Sequence, residues 1–120
     1  MTKKVFGTSH VPLSPAVRAG DFVYVSGQVP VKDGKIVEGD VSVQTAVVLD
    51  NIKALLEKTG CTMSDVIKTF VILTDKKDFA AFNTVYASYF PSEPPARTTV
   101  ESGLMVDITV EIDAIAYKPL

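Results

Sequence analysis

Arg97 follows the stiff segment Pro94-Pro95-Ala96 and opens a short β-prone run that closes at Glu101. An arginine leaving a proline segment at a sheet edge can hold a carboxylate through two parallel N–H groups. The alternative for it is a surface ion pair. Glu111 stands between Val110 and Ile112 in a strongly apolar segment, where a carboxylate needs a partner or a water. Its alternative is a structural salt bridge. Ser26-Gly27-Gln28 sets a hydroxyl and a flexible backbone directly after a strand-like run, a place that suits ligand contacts and turns equally. Other chemistry is thinly supplied. One histidine and one cysteine leave no His/Cys metal cage and no nucleophile pair assembled around several histidines. His10, among Gly, Thr, Ser and Pro, reads as a loop histidine, and Cys61 as a part-buried small residue. No glycine-rich phosphate loop precedes a helix, so a nucleotide cofactor lacks its usual cradle.

The elements that must position these residues can be read from periodicity. Residues 22–26, Phe-Val-Tyr-Val-Ser, form a strand running into Gly27. Asp33-Gly34 then makes a turn between short strands at 29–31 and 35–37. Asp40 is a helix N-cap; Val41, Val48, Leu49, Ile52, Leu55 and Leu56 repeat at helical steps, and Gly60 stops the helix. Residues 65–74 carry apolar side chains on both parities and read as a strand covered on both faces. A second helix aligns Phe79, Phe82, Val85, Tyr86, Tyr89 and Phe90, begins at Asp75 or Asp78, and ends before Pro91. Strands at 97–101 and 107–117 complete the chain, the last alternating Ile108, Val110, Ile112, Ala114 and Ala116 against Asp107, Thr109, Glu111 and Asp113.

The order β-β-β-α-β-α-β-β over residues 1–120 fits one α+β domain, with two helices packed on one face of a mixed sheet. That leaves Phe70 and Ile72 on a face no helix covers, and a bare apolar face of this size marks an interface. The chain is therefore expected to associate with copies of itself. A bent, barrel-like sheet that buries its own second face is the alternative.

Composition narrows function further. Apolar residues make up 47% and charged residues 22% of 120 positions, which excludes a disordered regulator, a collagen-like fibre and a disulfide-stapled miniprotein. Twelve Lys and Arg against fourteen Asp and Glu give a net charge of −2, with no basic stripe interleaved with aromatics. Nucleic acid and anionic membranes are not expected partners. The start, Met1 to Gly7, develops no apolar leader core, and no run approaches the ~18 residues of a membrane span. A cytoplasmic location is expected, in keeping with a lone cysteine.

At Pro95-Ala96-Arg97-Thr98-Thr99-Val100, with Val110-Glu111-Ile112 after it, the sequence closely resembles the reactive intermediate deaminase (Rid, YjgF-type) family. Ser14-Pro15, Tyr24-Val25-Ser26-Gly27-Gln28, Asp50-Asn51-Ile52, and Asp78-Phe79 with Asn83 and Tyr86 agree, so the likeness spans nearly the whole chain. The resemblance implies a chorismate-mutase-like fold, a homotrimer with ligand sites in clefts between subunits, and no metal or organic cofactor. It implies hydrolysis of reactive enamines and imines, such as 2-aminoacrylate (2-iminopropanoate), to a 2-keto acid and ammonia. By position, Arg97 would grip the substrate carboxylate and Glu111 would position the attacking water. Ser26, Gly27 and Thr99 would line the pocket, the last two through main chain, with Asn83 in support.

Two positions depart from the family pattern. Ala16 stands where many active members have a tyrosine, so the pocket is expected to open there, toward a bulkier imino acid or poor turnover of the smallest. Thr99 stands where relatives often have cysteine, which matters less for a backbone contact. The alternatives are a pathway enamine deaminase of the 3-aminoacrylate or 2-aminomuconate type, and a regulatory module that binds a small carboxylate without turnover. Ribonuclease or translation-inhibitor activity, also attached to the family, fits the charge balance worst.

Overall fold

The computed structural model describes residues 2–120; Met1, where the reading of a leader begins, lies outside the described residues. Its centre is a six-stranded sheet in the order β1-β2-β3-β8-β6-β7. The strands are β1 (Lys4–Phe6), β2 (Ala16–Ala19), β3 (Phe22–Gln28), β6 (Val66–Leu73), β7 (Ala96–Glu101) and β8 (Val110–Tyr117). Strands β4 (Val31–Lys32) and β5 (Lys35–Ile36) form a separate ribbon. Asp33 and Gly34, with φ of 53° and 78°, supply the two left-handed residues that a two-residue hairpin turn requires.

Helix α1 (Val41–Lys58) starts at Asp40, whose side chain accepts a hydrogen bond from the Val43 amide at 3.0 Å. Its stripe of Val41, Val48, Leu49, Ile52 and Leu56 is buried. The Arg18 guanidinium donates to the Thr59 carbonyl beyond its C-terminus at 3.3 Å, placing a cation where the helix dipole is negative. Helix α2 (Phe79–Tyr89) buries Phe82 and Tyr86. Asp75 caps the 3₁₀ turn before this helix, accepting from the Lys77 amide at 2.9 Å.

Both helices cover one face of the sheet. Val23, Val25, Val71, Leu73, Val110 and Ile112 point into the core against them. Every strand pair is antiparallel except β6 with β7, joined in parallel through α2, as a strand-helix-strand crossover demands. The opposite face carries no helix. Phe22, Tyr24 and Tyr117 are exposed there, and Phe70, Ile72 and Ile115 are half-buried. The expectation of a mixed sheet with two helices on one face is met.

Several boundaries differ from those expected. Strands β1 and β2 were not anticipated: they are three and four residues long, too short for a period-2 pattern to register. The last strand begins at Val110 rather than Asp107. The buried side chain of Gln44 accepts hydrogen bonds from both the amide and the hydroxyl of Thr109, at 2.8 and 2.7 Å. That segment is therefore tied to α1.

Candidate functional site

The six residues singled out in the sequence fall into two clusters. Strand pairing assigns them to faces, since directly paired residues point the same way. Arg97 pairs with Thr69, and Thr69 with Ala114, on the helix-covered face. Glu111 pairs with Ile72, and Ile72 with Val100, on the bare face. The two are also offset by three residues along β6 and separated by two strand spacings, on the order of 14 Å in all. One chain therefore cannot present both to one small ligand.

Arg97 is half-buried at the edge of the helix layer. Its guanidinium carbon lies over three rings of the α2 segment: Tyr86 at 4.8 Å, Phe82 at 5.4 Å and Phe79 at 5.7 Å from the ring centroids. The one ion pair among the described residues joins Lys118 to Asp65 at 3.9 Å, so Arg97 faces no carboxylate. Within this chain Arg97 therefore makes no surface ion pair. Arg97 and Asn83 line one cavity of about 370 Å³ with Tyr86, Ala87, Phe90, Pro94 and Pro95. Thr99 pairs with Val71 on the same sheet face. It borders a second cavity of about 210 Å³ beside Phe79 and Leu73, and its hydroxyl is buried without a partner.

The second cluster sits where β3 leaves register with β8, between Val25 and Gln28. This irregularity brings Gly27 against the Glu111 side chain: a Cβ on Gly27 would lie 3.0 Å from the Glu111 carboxyl carbon and collide with its Oε2. Only a residue without a Cβ leaves that carboxylate its place. The Ser26 hydroxyl donates to the Ser14 carbonyl at 2.6 Å, and the Ser26 amide to Pro15 at 2.9 Å, which fixes the loop. Burial pushes the Glu111 carboxyl above the ordinary glutamate value, and the neighbouring Asp113 charge pushes the same way. Asp113 is itself raised by burial, against the pull of the Phe70 backbone and of Lys68.

Ala16 corrects an expectation. It is 0% exposed, paired with Val25 and packed in the core, so its small side chain opens no pocket in this chain. The aromatic cradle under Arg97 was missed. Phe79, Phe82 and Tyr86 were legible as one helical face, but nothing in the sequence ties that face to β7.

A cavity of about 740 Å³ between β5 and residues 103–109 contains none of the six residues. Among the described residues no group of three His, Cys, Asp or Glu side chains is placed to hold a metal ion. No helix among them is long and apolar enough to cross a membrane.

A two-helix layer on this sheet, with an unpaired arginine at its edge, defines a class that comparison with known proteins identifies. Residues 6–118 match the family described as Endoribonuclease L-PSP, and the chain belongs to that family, which is the Rid and YjgF group. A RutC family protein of Pyrococcus horikoshii is 52% identical over 110 residues, 89% of this chain and 87% of that protein. The Escherichia coli YjgF gene product superposes with a TM-score of 0.90 at 36% identity, covering 95% of this chain and 98% of its own. The structure of Escherichia coli TdcF with bound serine gives 0.90 at 35% identity, covering 96% and 98%.

Proposed function

We propose that this protein hydrolyses reactive enamines and imines of small 2-amino acids, such as 2-aminoacrylate, to 2-keto acids and ammonia. The observation that carries the reading is Arg97: a cation with no carboxylate partner in its chain, held over aromatic rings at the mouth of a cavity. Such a group suits a ligand carboxylate. The bound serine of the TdcF relative is a ligand of that kind.

The site is built between copies of the chain, taken as a homotrimer. Arg97, Asn83 and Thr99 of one copy would meet Glu111, Gly27 and Ser26 of the next. The bare face around Tyr24, Phe70 and Tyr117 supports association, because so large an apolar surface is costly in water.

An imine carbon is already electrophilic, so orientation and a placed water do most of the work. Arg97 holds the carboxylate. Water oxygen bonds to the imine carbon, one water proton passes to the Glu111 carboxylate, and the C=N pair moves to the nitrogen, which takes that proton from Glu111. The carbinolamine then re-forms a C=O bond and expels ammonia, its hydroxyl proton passing through the Glu111 carboxylate to the leaving nitrogen. The sum is one water consumed, with one keto acid and one ammonia released.

The test is pyruvate release from 2-aminoacrylate generated from serine by a pyridoxal-phosphate lyase. Acceleration above spontaneous hydrolysis supports the reading. Keto-acid binding with no acceleration of any imine would replace it with the regulatory module. The family description names an endoribonuclease, but cleaving RNA needs cations along a phosphate track. A net charge of −2 with scattered Lys and Arg does not supply one.

A pH dependence follows from Glu111. It must be ionised to take a proton from water, so kcat/KM rises along an acid limb. Because burial and Asp113 raise this carboxyl, the limb lies above the ordinary value of 4.5. Asp113→Asn removes the second cause and should move the limb to lower pH, with desolvation left in place. A pH profile of kcat/KM for both proteins checks the sign; a limb moving upward would contradict it.

A further inference from the structure

We infer that Tyr86 is the positioning residue of Arg97, its ring carrying the guanidinium and its hydroxyl, bonded to Thr69, fixing that ring to the sheet. The inference rests on the reading of Arg97 as the carboxylate grip. An arginine that must receive a ligand poses a physical problem. A long, flexible side chain is usually immobilised by a carboxylate, but such a partner would occupy the same N–H fork the ligand needs. An aromatic ring attracts the cation through its face and uses none of those donors.

The structure builds such a support. Tyr86 is the nearest of the three rings, at 4.8 Å. It is 5% exposed and wedged between Phe82 and Phe90, with centroids 5.3 and 4.8 Å away. Its hydroxyl lies 2.7 Å from the Thr69 hydroxyl. Thr69 is 0% exposed and is the direct partner of Arg97 on the adjacent strand. The ring is thus tied to the neighbour of the residue it supports, and the guanidinium is referenced to the sheet rather than to the mobility of its own stem. Asn83, one turn earlier on α2, shares the cavity with both.

The experiment compares wild type, Tyr86→Phe, Tyr86→Leu and Thr69→Val. Two readouts are taken: KM and kcat for 2-iminopropanoate, and the Arg97 Nε–H resonance in nitrogen-15 spectra, assigned by its loss in Arg97→Lys. Loss of the ring in Tyr86→Leu should raise KM roughly tenfold, within the range of a desolvated cation–aromatic contact, while kcat changes less than about threefold. The Tyr86 share of the Arg97 ring-current shift should go with it, moving the resonance toward the free-arginine position while Phe82 and Phe79 hold the remainder. Tyr86→Phe keeps the ring and should recover most of both effects, with Thr69→Val alike, each raising KM about two- to threefold through loss of one hydrogen bond.

Unchanged KM and an unmoved resonance in Tyr86→Leu would overturn the inference. So would a wild-type resonance already at the free-arginine position, a result that stands even if Tyr86→Leu does not fold. If wild type hydrolyses no imine, the functional reading falls, and the resonance alone decides the positioning role.

Discussion

Arg97→Ala should lose at least about 10²-fold in kcat/KM for 2-iminopropanoate, because two charge-assisted hydrogen bonds to one carboxylate disappear together, each worth roughly 1.5–3 kcal/mol. The fold should hardly notice. Arg97 has no ion pair, and what the chain itself loses is the contact with Tyr86, Phe82 and Phe79, about 1 kcal/mol at a half-exposed site. A thermal midpoint within a few degrees of wild type, alongside the kinetic loss, separates binding from folding. Arg97→Lys is the sharper control. It keeps the charge but not the planar fork, so it should recover only a minor part of the activity. A lysine variant with full activity would show that charge suffices and that bidentate recognition is not used.

Gly27→Ala should be the second severe lesion, and for a steric reason. The added Cβ would occupy the space of the Glu111 carboxylate. The far end of a glutamate swings aside at little cost, and replacing glycine stiffens the unfolded chain by about 0.4–1 kcal/mol in favour of the fold. Stability should therefore stay within about 1 kcal/mol of wild type. The displaced carboxylate no longer meets its water, and an ångström of misplacement costs on the order of 10²-fold in rate. The variant should bind pyruvate normally while turning over slowly, so the measurement is kcat beside the pyruvate dissociation constant. Normal kcat would remove Glu111 from the proposed water-positioning role.

The parts legible in sequence were those with long periodic patterns. The stripe from Val41 to Leu56, the cap at Asp40 and the stop at Gly60 all express local physics, and the structure reproduces them. The two-sided strand at Val66–Leu73 announced a sheet with an uncovered face. Strands β1 and β2 carried no such signal, since they gain their order only by pairing with β3. Arg97 and Glu111 were identifiable as chemical residues, but their placement on opposite faces depends on the register of β7 and β8 against β6. A one-residue change of register would reverse it. Ala16 shows the converse limit: a small residue was read as an opening, whereas the sheet and the core fill the space around it. The Tyr86 support is not legible in sequence because Arg97 reaches the α2 rings only once β7 has paired with β6.

The opposite facing of Arg97 and Glu111 also has a genetic meaning. On the proposed arrangement, each chain encodes two half-sites that serve different neighbours, so the unit of function is a junction rather than a gene product. Chains defective at Arg97 and chains defective at Glu111, inactive apart, would rebuild about one intact junction in four when they co-assemble at random in equal amounts. Two alleles broken in different halves would then complement each other, whereas two broken in the same half would not.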